Sequence, residues 1–265
     1  MQGAGARLTV HWPDLPASAG VLATTRAGGA SAAPYDNGHG GGGLNLGLHV
    51  GDDPARVGQN RALVAAHLPA RPAWLTQVHG VAVVDALDAV AAGSDRPAPT
   101  ADASVATQAG AACAVMTADC LPVLFADIDG KVVGAAHAGW RGLAAGVLGA
   151  TVRAMRAAGA GEITAWLGPA IGAAAFEVGE EVRDTFLASV CGIGVGAGAA
   201  FAPYPGRAGK YLADMNMLAR LMLRADGVTR VWGGEHCTVT EADLFYSYRR
   251  DGVTGRQACL IWIKQ

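Results

Sequence analysis

Short apolar runs bounded by Gly, Asp or Pro recur along the chain. They predict strands at Leu8–Val10, Val21–Thr25, Val81–Val84, Ala112–Met116, Val123–Phe125, Lys131–Ala136, Ile163–Leu167 and Ala258–Ile263. Helical patterns are fewer. Asp53-Pro54 supplies an N-cap and a first-turn proline, opening a helix to about His67. Gly142 to Ala158 reads as a second helix, with Gly159 placed to cap its end. Two more run from about Glu177 to Ala188 and from Asp214 to Asp226, the latter followed by Gly227. The irregular alternation of strands and helices favours an α+β fold, a sandwich of mixed β-sheets packed with helices, over a strict βαβ array. Gly28–Gly43 and Gly93–Pro99 lack an apolar period and read as loops, the first of them mobile. Neither resembles a domain boundary, so residues 1–265 read as a single domain without internal repeats.

Composition narrows the function classes. The 265 residues are 51% hydrophobic and 16% charged, with 38 Gly, which excludes a disordered chain and allows a sizeable core. A formal net charge of −2 and scattered Lys and Arg leave no basic stripe for nucleic acid. The longest uncharged run, between Asp184 and Arg207, is long enough to span a bilayer. It is broken by Gly192, Gly194, Gly196 and Gly198 and closed by Pro203 and Pro205, so it reads as a helix end and a Gly/Ala loop. No basic segment followed by an apolar block opens the chain, and no signal peptide is expected. Five Cys without CxxC spacing point to a reducing cytoplasm, with Cys113, Cys191 and Cys259 as small buried hydrophobes.

Cys120 departs from that pattern. His79 in TQVHG, Cys120 in TADCLPV and His137 in AAHAGWRG each lie on a turn or end beside an apolar strand. The last two follow consecutive strands and can converge. A Cys/His/His set leaves the fourth position of a tetrahedral ion for water, the pattern of a catalytic rather than a structural zinc site. The ligands stand 41 and 17 positions apart, and spacing alone leaves a structural role for each histidine open. Gln77, Asp119 and Arg141 lie within four residues of a proposed ligand, placed to orient ligands or meet a substrate.

The segments LNLGLHVGDD (Leu44–Asp53), NR (Asn60–Arg61), TQVHG (Thr76–Gly80), TADCLPV (Thr117–Val123), AAHAGWRG (Ala135–Gly142), GPAIG (Gly168–Gly172) and YRRDGVTGR (Tyr248–Arg256) occur in this order. Together they closely resemble the YfiH-like, or laccase-domain, family, long named multicopper polyphenol oxidases. The resemblance covers the chain from about Val21 to Ile263. It implies a zinc-dependent purine nucleoside phosphorylase with adenosine deaminase and methylthioadenosine phosphorylase activities. It also implies that the zinc ligands are His79, Cys120 and His137, in a single domain of mixed sheets packed with helices. The Gly-rich GHGGGGLNLG departs from the tighter turn of many relatives.

Phosphorolysis needs an anion site. Trp140-Arg141-Gly142 opens a predicted helix whose free N–H groups suit phosphate, and Arg141 adds a bidentate donor. Arg61 is a second candidate cation, Asn45 a candidate contact to ribose or base, and Asp119 the nearest acid for proton transfer. For Arg61 a solvated surface charge is an equal alternative, and for Asp119 a turn residue. Multicopper oxidation is disfavoured because seven His include no His-x-His pair, although copper competes for a soft triad. A Cys–His amide hydrolase acting on peptidoglycan precursors, with Cys120 as nucleophile and His137 as base, is the other catalytic reading. A non-catalytic binding module is a third. The expected partners are purine nucleosides and phosphate, without nucleic acid or membrane.

Overall fold

The computed structural model describes residues 7–91, 97–188 and 194–265. Its strands are β1 (Arg7–Leu8), β2 (Ala19–Thr24), β3 (Ala27–Ser31), β4 (Arg71–Ala73), β5 (Val83–Asp85), β6 (Ala103–Ala106), β7 (Ala111–Thr117), β8 (Leu121–Asp127), β9 (Val133–Ala138), β10 (Ile163–Leu167), β11 (Glu177–Gly179), β12 (Phe201–Pro203), β13 (Lys210–Ala213), β14 (Arg230–Gly233) and β15 (Gln257–Ile263). The helices are α1 (Pro54–Ala65), α2 (Ala86–Ala91), α3 (Trp140–Ala145), α4 (Val147–Ala157), α5 (Glu180–Ala188), α6 (Gly194–Ala197), α7 (Met215–Ala225) and α8 (Tyr248–Asp251).

Three sheets result, in orders β1-β2-β15-β7-β4, β14-β10-β8-β9-β6-β5 and β11-β13-β12. Most neighbours are antiparallel, whereas β4–β7, β5–β6 and β10–β14 are parallel. The mixed-sheet α+β expectation therefore holds.

The two large sheets pack face to face. The central strands β7, β8 and β9 are buried on both faces, which is why their sequences are continuously apolar rather than alternating. Cys113 and Val115 of β7 meet Leu124 and Ala126 of β8 and Val133 and Ala135 of β9 between the sheets. The opposite face of the six-stranded sheet (Leu121, Val123, Phe125) takes the apolar stripes of α4 and α7. Ala112, Ala114 and Met116 on the outer face of β7 pack with Leu44, Leu46 and Val64. The abundant Ala lets these layers approach closely. Burial pushes the Cys113 and Cys259 thiols up to about 12, as inert small hydrophobes require. Cys191 lies outside the described residues.

Helix α1 begins as predicted, with the Asp53 carboxylate accepting from the Ala55 N–H and Pro54 in the first turn. At the end of α4, the Ala160 N–H reaches the Met155 carbonyl and Gly159 takes φ 95°, the expected glycine cap. Two helix expectations fail. The helix foreseen over Gly142–Ala158 is cut at Gly146, whose left-handed φ of 93° ends α3 and precedes α4. The segment Glu177–Gly179 forms β11 against Lys210–Leu212, so α5 starts three residues later than foreseen. The Gly-rich segment Gly28–Gly43 is tied to the core rather than loose. Asn60 holds the Ala30 N–H and the Gly43 carbonyl, and the Tyr246 hydroxyl donates to the Tyr35 carbonyl. No helix among the described residues is long and apolar enough to cross a membrane.

Candidate metal centre and anion-binding surface

Two chain reversals and the end of strand β9 meet at one end of the six-stranded sheet. His79 has φ 62° and Asp119, just before Cys120, has φ 92°, both in the left-handed region that non-glycine residues seldom enter. His137 sits on β9 opposite Pro122 of β8, so the β8–β9 ladder sets its distance from Cys120, the residue just before β8. The ligand atoms of His79, Cys120 and His137 all lie within 4.8 Å of one another. Cys120 Sγ is 3.5 Å from His79 Nε2, and the two imidazoles stand edge to face with centroids 4.7 Å apart. Gly139 makes room for this, since a Cβ there would overlap the His79 ring and approach Cys120 Sγ to 3.1 Å.

The donor chemistry fits a zinc ion: one soft thiolate and two imidazoles. His137 gives its Nδ1 to the buried Asp102 carboxylate at 2.8 Å, which leaves Nε2 for a metal. Electrostatics prepare the donors. Burial opposes ionisation of Cys120, but hydrogen bonds and charge from His137 and His79 prevail and bring its thiol down to about 6. Burial likewise disfavours a charged His137, yet Asp102 and Cys120 raise it to about 9. The Asp102 carboxyl stays below its usual value because bonds from His137 and the Gly80 and His79 amides outweigh its burial.

The polar residues beside these ligands do different work from one another. The Gln77 amide pairs with both main-chain groups of Met116 at 2.8 and 2.9 Å, locking the His79 loop to the end of β7. Asp119 accepts from the Thr238 hydroxyl at 2.5 Å and the Arg249 N–H at 2.6 Å, joining the Cys120 turn to the start of α8. Asn45 is fully buried; it donates to Asp52 and Gly47 and accepts from the Gly47 and Arg256 amides, so its side chain is engaged within the fold. Arg141 is exposed and stacks on Trp140, its Cζ 4.4 Å from the ring centroid. Its helix is only the six residues of α3, a much smaller dipole than the helix predicted there.

Arg61 is not a surface charge. It is half-buried over Trp74, bonded to the Leu46 carbonyl and the Met116 sulfur, and burial lowers its pKa to about 10. Sequence reasoning missed its counterpart, Arg256, also half-buried, whose guanidinium holds the Thr254 and Gly255 carbonyls. Among the described residues neither has a carboxylate partner. Both act on His49, which burial and then the charges of Arg256, Arg61 and His137 keep below its usual pKa. Asp102 was missed as well; its signal was an acid set between apolar residues in TADASVA.

A sandwich of mixed sheets carrying a Cys/His/His centre beside two half-buried arginines that form no ion pair among the described residues is the class of protein these features define. The chain belongs to the family described as multi-copper polyphenol oxidoreductase laccase, whose profile matches residues 20–264. It is 50% identical over 257 residues to a Pseudomonas aeruginosa protein named purine nucleoside phosphorylase, covering 97% of this chain and 98% of that one. It is 48% identical over 255 residues to the Escherichia coli K12 purine nucleoside phosphorylase YfiH, covering 96% and 97%. Among solved structures, a Neisseria meningitidis protein superposes with a TM-score of 0.88 at 48% identity, covering 98% of this chain and all of that one. YlmD from Geobacillus stearothermophilus superposes with a TM-score of 0.83 at 32% identity, covering 100% and 98%.

Proposed function

We propose that the chain is a zinc-dependent purine nucleoside phosphorylase. It converts adenosine, inosine or guanosine and phosphate to the free base and ribose 1-phosphate, with adenosine deaminase and S-methyl-5′-thioadenosine phosphorylase activity at the same site. The observation that carries the reading is the convergence of His79, Cys120 and His137 within 4.8 Å beside Arg61 and Arg256. The names of the relatives supply the substrate class.

In this reading His79, Cys120 and His137 would hold the ion, which would supply Lewis acidity and positive charge to the reaction. Arg61 and Arg256 bind phosphate; each is partly desolvated and in no ion pair with a carboxylate among the described residues, so an anion gains a charge-assisted bond there. Arg141, at the exposed start of α3, adds a third donor. A phosphate oxygen attacks the ribose anomeric carbon, and the bond to the base nitrogen breaks with its electron pair staying on the base. Asn45, Gln77 and Asp119 brace the loops that position these groups. Free thiols at Cys113, Cys120, Cys237 and Cys259 suit a reducing cytoplasm, and the partners are small molecules.

One observation favours a second reading. Cys120, His137 and Asp102 form a nucleophile, base and orienting acid, with the thiol near 6 and the imidazole near 9, as in a Cys–His amide hydrolase. Metal analysis with a nucleoside panel, assayed with and without phosphate, separates the two. About one zinc per chain, and base release that needs phosphate and stops on chelation, is the expected result. Phosphorolysis unchanged in His137→Ala would overturn the proposal, and amide hydrolysis resistant to chelators would favour the hydrolase.

A further inference from the structure

We infer that Asp102 is the positioning residue of the metal centre, a single buried carboxylate that sets both histidine ligands at once. This rests on the metal-centre part of the proposed function. Asp102 precedes β6, is fully buried, and its carboxylate accepts four hydrogen bonds. Oδ1 takes the His137 Nδ1–H at 2.8 Å and the His79 N–H at 2.9 Å. Oδ2 takes the Gly80 N–H at 2.6 Å and the Val78 N–H at 3.2 Å. Three consecutive amides of one loop and the ring of a strand histidine therefore converge on one side chain.

The same bonds account for the backbone at His79. Its φ of 62° is unfavourable for a residue with a Cβ and must be compensated by its surroundings. Three charge-assisted N–H bonds to a desolvated carboxylate do so and turn the imidazole toward Cys120. The main chain of Asp102 shares the task, since its carbonyl accepts the His137 N–H at 2.7 Å and its own N–H reaches the Ala82 carbonyl at 3.1 Å. One residue thus relates the loop and the strand through both its main chain and its side chain. Without it, Cys120 would face two histidines whose rings are no longer fixed relative to each other.

The test reads metal binding rather than turnover. Zinc affinity is measured by chelator competition on wild type and Asp102→Asn, with cobalt spectra reporting the ligand set. Asp102→Asn keeps the shape but loses the charge and turns one of the two acceptor oxygens into a donor, so zinc affinity is expected to fall 10- to 100-fold, a typical cost of losing an outer-shell partner. The cobalt ligand-field bands are expected to change with it. A variant that melts earlier yet binds zinc and shows cobalt bands like wild type would make Asp102 merely structural and overturn the inference. If the variant does not fold, nitrogen-15 shifts of zinc-loaded wild type decide. His137 metallated at Nε2 with a proton on Nδ1 supports the inference, and metallation at Nδ1 overturns it. Wild type that binds no zinc would instead sink the metal centre itself, and with it the proposed function.

Discussion

Gly139→Ala places one methyl group against the metal centre and little else. The backbone there, φ −63° and ψ 155°, suits alanine, so no conformational strain is introduced. The added Cβ overlaps the His79 ring, comes within 2.9 Å of its Nε2 and lies 3.1 Å from Cys120 Sγ. Because His79 is exposed, the metal-free chain relieves the overlap by swinging the imidazole outward. With zinc bound that escape is closed, because a ligand must stay within about 0.2 Å of its bonding distance. Overpacking against neighbours that cannot move costs about 1–3 kcal/mol. At about 1.4 kcal/mol per tenfold this becomes a roughly 5- to 150-fold loss of zinc affinity. Stability of the metal-free protein should stay nearly level: the Gly-to-Ala gain in a compatible conformation, about 0.4–1 kcal/mol, is offset because alanine is the poorer helix N-cap. Chelator competition and melting curves with and without zinc measure both quantities. Wild-type zinc affinity in Gly139→Ala would refute the claim that the glycine exists to let the two ligands approach.

In metal-free protein, alkylation of Cys120 by iodoacetamide should rise with pH through a midpoint near 6, being slow below it where the thiol is protonated; a midpoint near 8.5 would show that the histidines do not act on the sulfur. Arg61→Ala and Arg256→Ala should each raise the phosphate KM about tenfold or more while leaving bound zinc unchanged, and an unchanged KM in both variants would remove them from the anion site. Asn60→Leu deletes a buried amide that serves the Ala30 N–H, the Ser31 hydroxyl and the Gly43 and Asn45 carbonyls. Urea denaturation should show a loss of about 3 kcal/mol, and a loss near zero would mean that the Gly-rich segment is not held through Asn60.

The layers were legible because the strands buried on both faces, β7 to β10 and β15, are continuously apolar and cannot be placed elsewhere. The strands that escaped notice are short, Gly- or Ala-rich or partly exposed. β3 reads AGGAS and forms isolated bridges to Gly43, while β11 reads EVG and is paired by the distant Lys210–Leu212 rather than marked by its own side chains. The break at Gly146 was hidden for a related reason. A helix tolerates an internal glycine at modest cost, so only the packing of α4 against the sheet selects the left-handed turn.

The site divides along a physical line that sequence does not draw. Asn45, Gln77 and Asp119 looked like substrate contacts because they flank or precede the ligand segments. Yet their donors and acceptors are directed at Arg256, Gly47, Met116, Thr238 and Arg249. Arg61 read equally as an anion-binding cation or a solvated surface charge; it and Arg256 are both half-buried and form no ion pair with a carboxylate among the described residues. A polar group whose hydrogen-bonding capacity is filled inside the fold braces it, whereas a half-buried guanidinium bonded only to neutral acceptors retains an attraction for an anion. The same criterion marks Asp102 in a chain with only 16% charged residues. An acid among Ala and Val either pairs with several donors or prevents the strand from burying. Its burial therefore requires donors, and those that converge on it are the His137 ring and the amides of Val78, His79 and Gly80, which include both histidines that the metal needs held.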